Sequence, residues 1–313
     1  MPTGTGMATT STRPRADTAV VGPARRAVLR LAPAVAVLAC VSCGGAGASG
    51  PESASAPDGL AAEVDQLRSD VPLNRVEIGV VNSGTETVLV DSLHVRIPGY
   101  RSGERLQKDS PVKPGLTVNL PWPHGTVQCT RDSAAPDVGP PIVTLTVHTD
   151  RDPTTRTVRL TATDKTKVLQ RIADRTCEVE RVGREVALEF GDTWRPEKRP
   201  DGVVVLHGTL QARLLIDEPR EVTEMRGAIM YVIEPDASVG PVPSPLAALS
   251  PDRREVSIPV LAYAGRCTGH VIGEIKQPYA FLVWVGRPGA EPVAVTPAIG
   301  QPTKDALRLV CAF

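Results

Sequence analysis

The chain has 313 residues with 35 basic and 35 acidic side chains, so its formal charge is zero. That balance hides an asymmetry: the first 40 residues hold Arg13, Arg15, Arg25, Arg26 and Arg30 against Asp17 alone, which leaves the remainder mildly acidic. A body of that charge argues against nucleic-acid binding, which needs a basic face to meet phosphates.

The N-terminus carries the parts of an export signal, a polar arginine-bearing stretch followed by the short apolar run Leu31–Ala39. Residues 31–51 lack charge, but their second half is Gly/Ala/Ser and too weakly apolar for a span of roughly 20 residues. The tetrapeptide Val37-Leu38-Ala39-Cys40 resembles the lipobox of bacterial lipoproteins. The resemblance implies a signal peptide over 1–40 and a lipid-modified Cys40, with Cys43 the alternative acceptor. Two or more acyl chains, at roughly 0.8 kcal/mol per buried methylene, would make a lasting anchor. The expected place is therefore extracytoplasmic, on the outer face of the cytoplasmic membrane, with plain secretion as the alternative. Arg25-Arg26 also resembles a twin-arginine export motif, and the choice between that route and the general one stays open.

Residues 41–58 are small and polar and read as a disordered linker. The body beyond is too long for one typical domain. Leu60–Arg68 reads as a short helix or an edge strand. Strands are predicted at Arg75–Val81, Thr87–Ile97, Ile142–His148, Thr157–Thr161, Val186–Phe190, Val203–Ile216, Ala228–Ile233, Val256–Ala262, Ala280–Val285 and Pro292–Val295. Turn formers punctuate them about every ten residues, a spacing that fits a β-sandwich better than a βαβ order.

An internal repeat runs through this body. Val118-Asn119-Leu120-Pro121 precedes Cys129 as Val256-Ser257-Ile258-Pro259 precedes Cys267. Upstream, Leu93–Pro98 parallels Ile229–Glu234. Downstream, helix-like stretches at Asp164–Cys177 and Gln301–Cys311 each bring a second cysteine. The two units are offset by about 134–138 residues, and an ordered series of this kind points to duplication. The expected domains are 59–182 and 183–313. Four cysteines allow three connectivities; duplicated units should carry duplicated bonds, which selects Cys129–Cys177 and Cys267–Cys311. Outside the cell such pairs are disulfides, each worth on the order of 4 kcal/mol on the chain-entropy model.

The alternating strands and the Asn82-Ser83-Gly84-Thr85 turn resemble those of bacterial immunoglobulin-like adhesive modules. The expected fold is mainly β: two tandem immunoglobulin-like β-sandwich domains, each with a short helix and one disulfide. The layout, with Arg266-Cys267-x-x-His270-x-x-x-Glu274-x-Lys276 and a cysteine near the end, is similar to uncharacterised secreted proteins of high-GC Gram-positive bacteria. That group implies no activity.

Nucleophile-elbow, zinc-helix and phosphate-loop motifs are absent from credible contexts. We therefore name no catalytic residue, metal or cofactor. Cys267-x-x-His270 has a zinc-like spacing but lacks a second pair nearby. The candidate partner contacts are Arg266, His270, Glu274 and Lys276, with Glu274 and Lys276 sharing a face if they lie on one strand. Trp122, Trp194 and Trp284 read as core or capping residues, but an exposed Trp122, in its Pro-Trp-Pro setting, would add a glycan or peptide contact. The function expected is a surface-anchored, non-catalytic interaction or structural lipoprotein that meets an unidentified protein or cell-envelope glycan. The alternative is an envelope enzyme or enzyme accessory with a site assembled from distant residues.

Overall fold

The computed structural model describes residues 55–101 and 103–311, without the side chains of 272–274. The export segment, Cys40, Cys43 and the linker up to residue 54 lie outside the described residues.

Strands β1 (Leu60–Asp65), β2 (Arg75–Asn82), β3 (Val88–Arg96), β4 (Tyr100–Arg101), β5 (Leu106–Val112), β6 (Leu116–Pro123), β7 (Thr126–Val127), β8 (Ile142–Thr149) and β9 (Arg156–Thr161) lead into helix α1 (Val168–Glu185). The order β1-β2-β6 forms one antiparallel sheet and β5-β3-β8-β9 another. Alternation decides which side chains turn inward. Val76, Ile78 and Val80 of β2 meet Val90, Leu93 and Val95 of β3 and Val143, Leu145 and Val147 of β8 in one buried cluster. Each such burial stabilises by about 1.5–3 kcal/mol.

The second half repeats this plan. Strands β10 (Val186–Phe190), β11 (Arg195–Lys198), β12 (Val204–Leu214), β13 (Arg220–Arg226), β14 (Tyr231–Pro235), β15 (Ala247–Leu249) and β16 (Glu255–Ala264) precede a short helix α2 (Gly269–Glu274). Strands β17 (Leu282–Gly286) and β18 (Val293–Val295) and helix α3 (Gln301–Cys311) close it. The sheets run β10-β12-β16-β14 and β15-β13-β17-β18, with β11 added on β12. Details recur with the order. A bulge interrupts β3 between Val90 and Ser92 and β13 between Val222 and Glu224. Glu63 of β1 bridges in parallel to Thr163, as Glu189 of β10 bridges to Ala298. Both disulfides that the repeat selects are present, Cys129–Cys177 and Cys267–Cys311, each tying the stretch after the proline-bearing strand to the closing helix.

The prolines of that repeated motif sit where a missing N–H costs little. In a strand, N–H and C=O of one residue point the same way. The Pro121 carbonyl accepts from Lys108 Nζ at 2.9 Å, on the side of β6 away from β2. The Pro259 carbonyl accepts the Asp236 N–H at 3.0 Å, just past the end of β14. Both prolines thus leave the ladder to β2 or β12 intact. Gly208 of β12 has a different constraint: the indole of Trp194 stands within 2.5 Å of where its Cβ would be. Trp194 in turn donates to buried Thr303 of α3 at 3.1 Å.

Three expectations need correction. The counterpart of β3 is β13, not residues 229–234; β14 pairs with β16 inside one sheet, whereas β3 and β6 lie in different sheets. The helix placed at 164–177 starts at Val168 and runs on to Glu185. Residues 60–65 settle as an edge strand, with Leu60, Ala62 and Val64 inward, rather than a helix.

Helix α1 belongs to both halves. Asp164 caps it, accepting from Val168 N at 2.9 Å and Leu169 N at 3.0 Å. Leu169, Ala173 and Cys177 enter the first core, while Val182 enters the second. Val182 lies five positions past Cys177, roughly 140° round the helix at 100° per residue. The expected boundary between residues 182 and 183 thus falls inside α1. At its end, Glu185 accepts from Arg220 Nε at 2.8 Å and from Arg181 at 2.9 Å. Arg220 opens β13 and is only 2% exposed. Burial pushes the Glu185 carboxyl up, but the bonds from Arg220 and Arg181 outweigh it and hold it below its ordinary range. Removing one partner strands a buried charge, so Arg220→Ala should cost about 3–5 kcal/mol. Urea unfolding checks this, and a loss under about 1 kcal/mol would refute the role given to the pair.

Candidate functional site

A linked polar group on an outer sheet face lies on the second half. Leu206, Leu210, Ala212 and Leu214 of β12 face the core, which turns His207 outward. Register places His207 opposite Arg195 of β11 and Leu261 of β16. Asp236 follows β14, and its backbone bond to Pro259 brings the carboxylate over this face. His207 Nδ1 lies 2.6 Å from Asp236 and Nε2 lies 3.1 Å from Glu197. The second Asp236 oxygen accepts from the Ser238 amide at 2.9 Å and from Ser238 Oγ at 2.5 Å. The Asp236 side chain is 3% exposed. Burial raises its carboxyl, yet the bonds from Ser238 and His207 prevail and keep it below the usual aspartate range.

The order of this chain governs its chemistry. Nucleophilic catalysis needs serine against histidine and histidine against carboxylate. Here Ser238 bonds to the carboxylate, and both imidazole nitrogens face carboxylates. The group fixes β14 and the turn after it to β12. Beside it opens a cavity of about 340 Å³ whose walls include Val239, Val242, Leu246 and Pro259, with Asp236 and Arg253 also on its lining.

The first half carries a different polar cluster. Asp70, wholly buried, accepts from Arg75 at 2.7 Å and from the Leu67 amide at 3.0 Å. Burial and then the Asp70 charge raise the neighbouring Glu77 carboxyl, and burial lowers the Lys108 ammonium. A larger cavity of about 630 Å³ lies between residues 137–141 and the start of α1. Of its two lining carboxylates, Asp137 and Asp164, the latter is already committed to the start of the helix. His124 is buried against Tyr100, edge to face at 5.8 Å, and burial holds its pKa below the usual histidine value.

The residues expected as contacts fall differently. Trp122 is 1% exposed, packed in the first core and edge-on to His94 at 5.9 Å. It is a core residue, because β6 alternation turns Leu120 and Trp122 inward together. Its Nε1 is buried without a hydrogen-bond partner among the described residues. Arg266 is exposed just after β16, His270 is exposed on α2, and Lys276 is exposed beyond it. Glu274 ends α2, and its side chain lies outside the described atoms. The strand argument for Glu274 and Lys276 sharing a face therefore fails, since residues 269–274 are helical. Sequence reading missed the His207 group, because its members come from β11, β12 and the end of β14. Alternation alone placed His207 in a strand. Among the described residues no set of three or more His, Cys, Asp or Glu is placed to hold a metal ion.

No family model and no curated protein matches the chain. Among solved structures it is similar to a protein of unknown function from Porphyromonas gingivalis W83, at 11% identity and TM-score 0.20, covering 77% of this chain and 95% of that one. It is also similar to the BSP domain of a biofilm-associated protein, at 7% identity and TM-score 0.20, over 78% of this chain and 59% of that one. The B domain of a biofilm-associated protein matches at 8% identity and TM-score 0.17, over 76% and 83%. Likenesses this distant carry no argument about this chain.

Two measurements test these placements. Asp236 has a lowered folded pKa, so its contribution is full above the ordinary aspartate range and lost as pH falls below it. Asp236→Asn should lose about 1–3 kcal/mol near pH 7 and show a shallower decline into acid; acid limbs of equal slope would refute it. Trp122→Ala should cost about 3–5 kcal/mol, whereas Trp122→Phe, which removes the unpaired N–H, should cost far less. Equal unfolding midpoints for the two would contradict the core assignment.

Proposed function

We propose that the protein is a surface-anchored, non-catalytic interaction or structural lipoprotein built from two tandem immunoglobulin-like sandwiches. The observation that carries this reading is one strand order, closed by one disulfide to a terminal helix, used twice in succession. Duplicated rigid modules suit presentation of outer faces and loops to a partner. The His207 group supports it as well, since its polar atoms are spent on one another and leave no activated nucleophile. The two disulfides suit an extracytoplasmic place. Among the described residues no helix is long and apolar enough to cross a membrane. Attachment is assigned to a lipid on Cys40, with Cys43 the alternative, and the partner to an envelope protein or glycan met by the exposed surface that includes Arg266, His270 and Lys276.

Labelling with an alkynyl palmitate analogue tests the anchor. Wild type and Cys43→Ser should label and Cys40→Ser should not; labelling that survives in the double variant would sink lipidation. Pull-down of envelope material by the exported chain tests the partner surface. Joint neutralisation of Arg266, His270 and Lys276 should lower capture, and unchanged capture would dismiss that cluster.

A further inference from the structure

We infer that the chain associates with a second copy of itself head to tail, with α3 of one copy seated on the β9 edge of the next. The inference rests on the interaction-module reading and names its partner.

The template lies within the chain. The outer face of α1 packs against β18, where Arg175 donates to the Ala294 carbonyl. In the repeat, α3 is the counterpart of α1 and β9 is the counterpart of β18. Among the described residues both counterpart surfaces are uncovered, the outer face of α3 and the edge of β9.

Register fixes the equivalent residues. The paired disulfides set Cys311 over Cys177, which puts Leu309 at the place of Arg175. Leu309 is 61% exposed, on the helix face that also carries Asp305 and Arg308. Ile229 is 62% exposed and adjoins Met230, whose carbonyl lies against both sulfurs of the Cys267–Cys311 bond. Leu309 and Ile229 are thus both large apolar side chains left in solvent. On the receiving side, Leu145 opposite Val158 matches Val283 opposite Val295, so Thr157 stands where Ala294 does. Ala294 is half-buried under α1, whereas Thr157 and its neighbour Arg159 are exposed. Among the described residues nothing hydrogen-bonds to the outer edge of β9. An open edge of this kind accepts added structure. Arg159 also suits the negative end of α3 and Asp305. A helix-to-edge contact joins different surfaces on the two copies, so it propagates into rings or filaments rather than closing a two-fold dimer.

The test uses the full exported chain with its native disulfides. Differently tagged copies bearing Leu309→Cys and Thr157→Cys are co-expressed and run without reducing agent. A mixed dimer should form between the two variants, exceeding any dimer of either variant alone. No mixed dimer, or a Leu309→Cys dimer with itself of equal yield, would overturn the proposal. Sedimentation gives an independent reading on chains that fold normally. Wild type should associate with rising concentration, Leu309→Asp at least tenfold more weakly, and Leu116→Asp, exposed on β6 away from the junction, as wild type. A wild type that stays monomeric throughout, or a Leu309→Asp chain that associates equally, would also overturn it. Neither assay depends on acylation or envelope capture, so failure here is distinct from failure of the anchor or of the envelope partner.

Discussion

Helix α1 is the constraint on which the arrangement of the two halves depends. One rigid rod places Cys177 in the first core and Val182 in the second, so the angle between cores is set by helix geometry rather than by a flexible connector. Its last turn is locked by Glu185, Arg220 and Arg181. Taking such charges out of water is costly, and only their mutual bonding recovers the cost. A site that expensive is specific: it admits one orientation of β13 relative to the helix end. The contact of Arg175 with β18 follows from that orientation.

The two halves share a scaffold and differ in what they mount on it. The first places buried Asp70 and Glu77 with half-buried Lys108 at β2, while the second places His207 of β12 between two carboxylates. The second also adds β11, β14 and α2, and needs Gly208 so that the Trp194 indole can lie against β12. Strand order, bulge position and disulfide recur in both halves where these outer-face groups do not. That is the pattern expected when packing fixes a core and surfaces are free to diverge.

Much of the scaffold was legible in the chain. The alternating Val/Ile/Leu segments became strands close to where periodicity set them, and the cysteine spacing found both disulfides. Other elements hid for physical reasons. Strand β5, with Lys108, Asp109 and Pro111, has one weakly apolar face at a sheet edge, and β13 carries Arg220, Glu221, Glu224 and Arg226 among few apolar positions. Neither shows a clean period. Matching β3 to residues 229–234 went astray because apolar alternation marks a strand without saying which sheet it joins. The setting of Trp122 shows another limit: flanking prolines look like loop, yet at an open edge they are compatible with a strand whose inward side chain is core. The His207 group could not be read at all, since it depends on three segments brought together by pairing.

The disulfide connectivity bears on how the chain matures. Each bond joins cysteines within one half, and the first pair lies wholly upstream of the second. A polypeptide threaded through a translocon amino end first would present Cys129 and Cys177 to the oxidising side while Cys267 was still behind. On that route the native partners would meet in the order of emergence, and oxidation in step with export would need no later reshuffling. Nested or crossed pairings would have forced the first half to wait, unsealed, for the last residues to arrive.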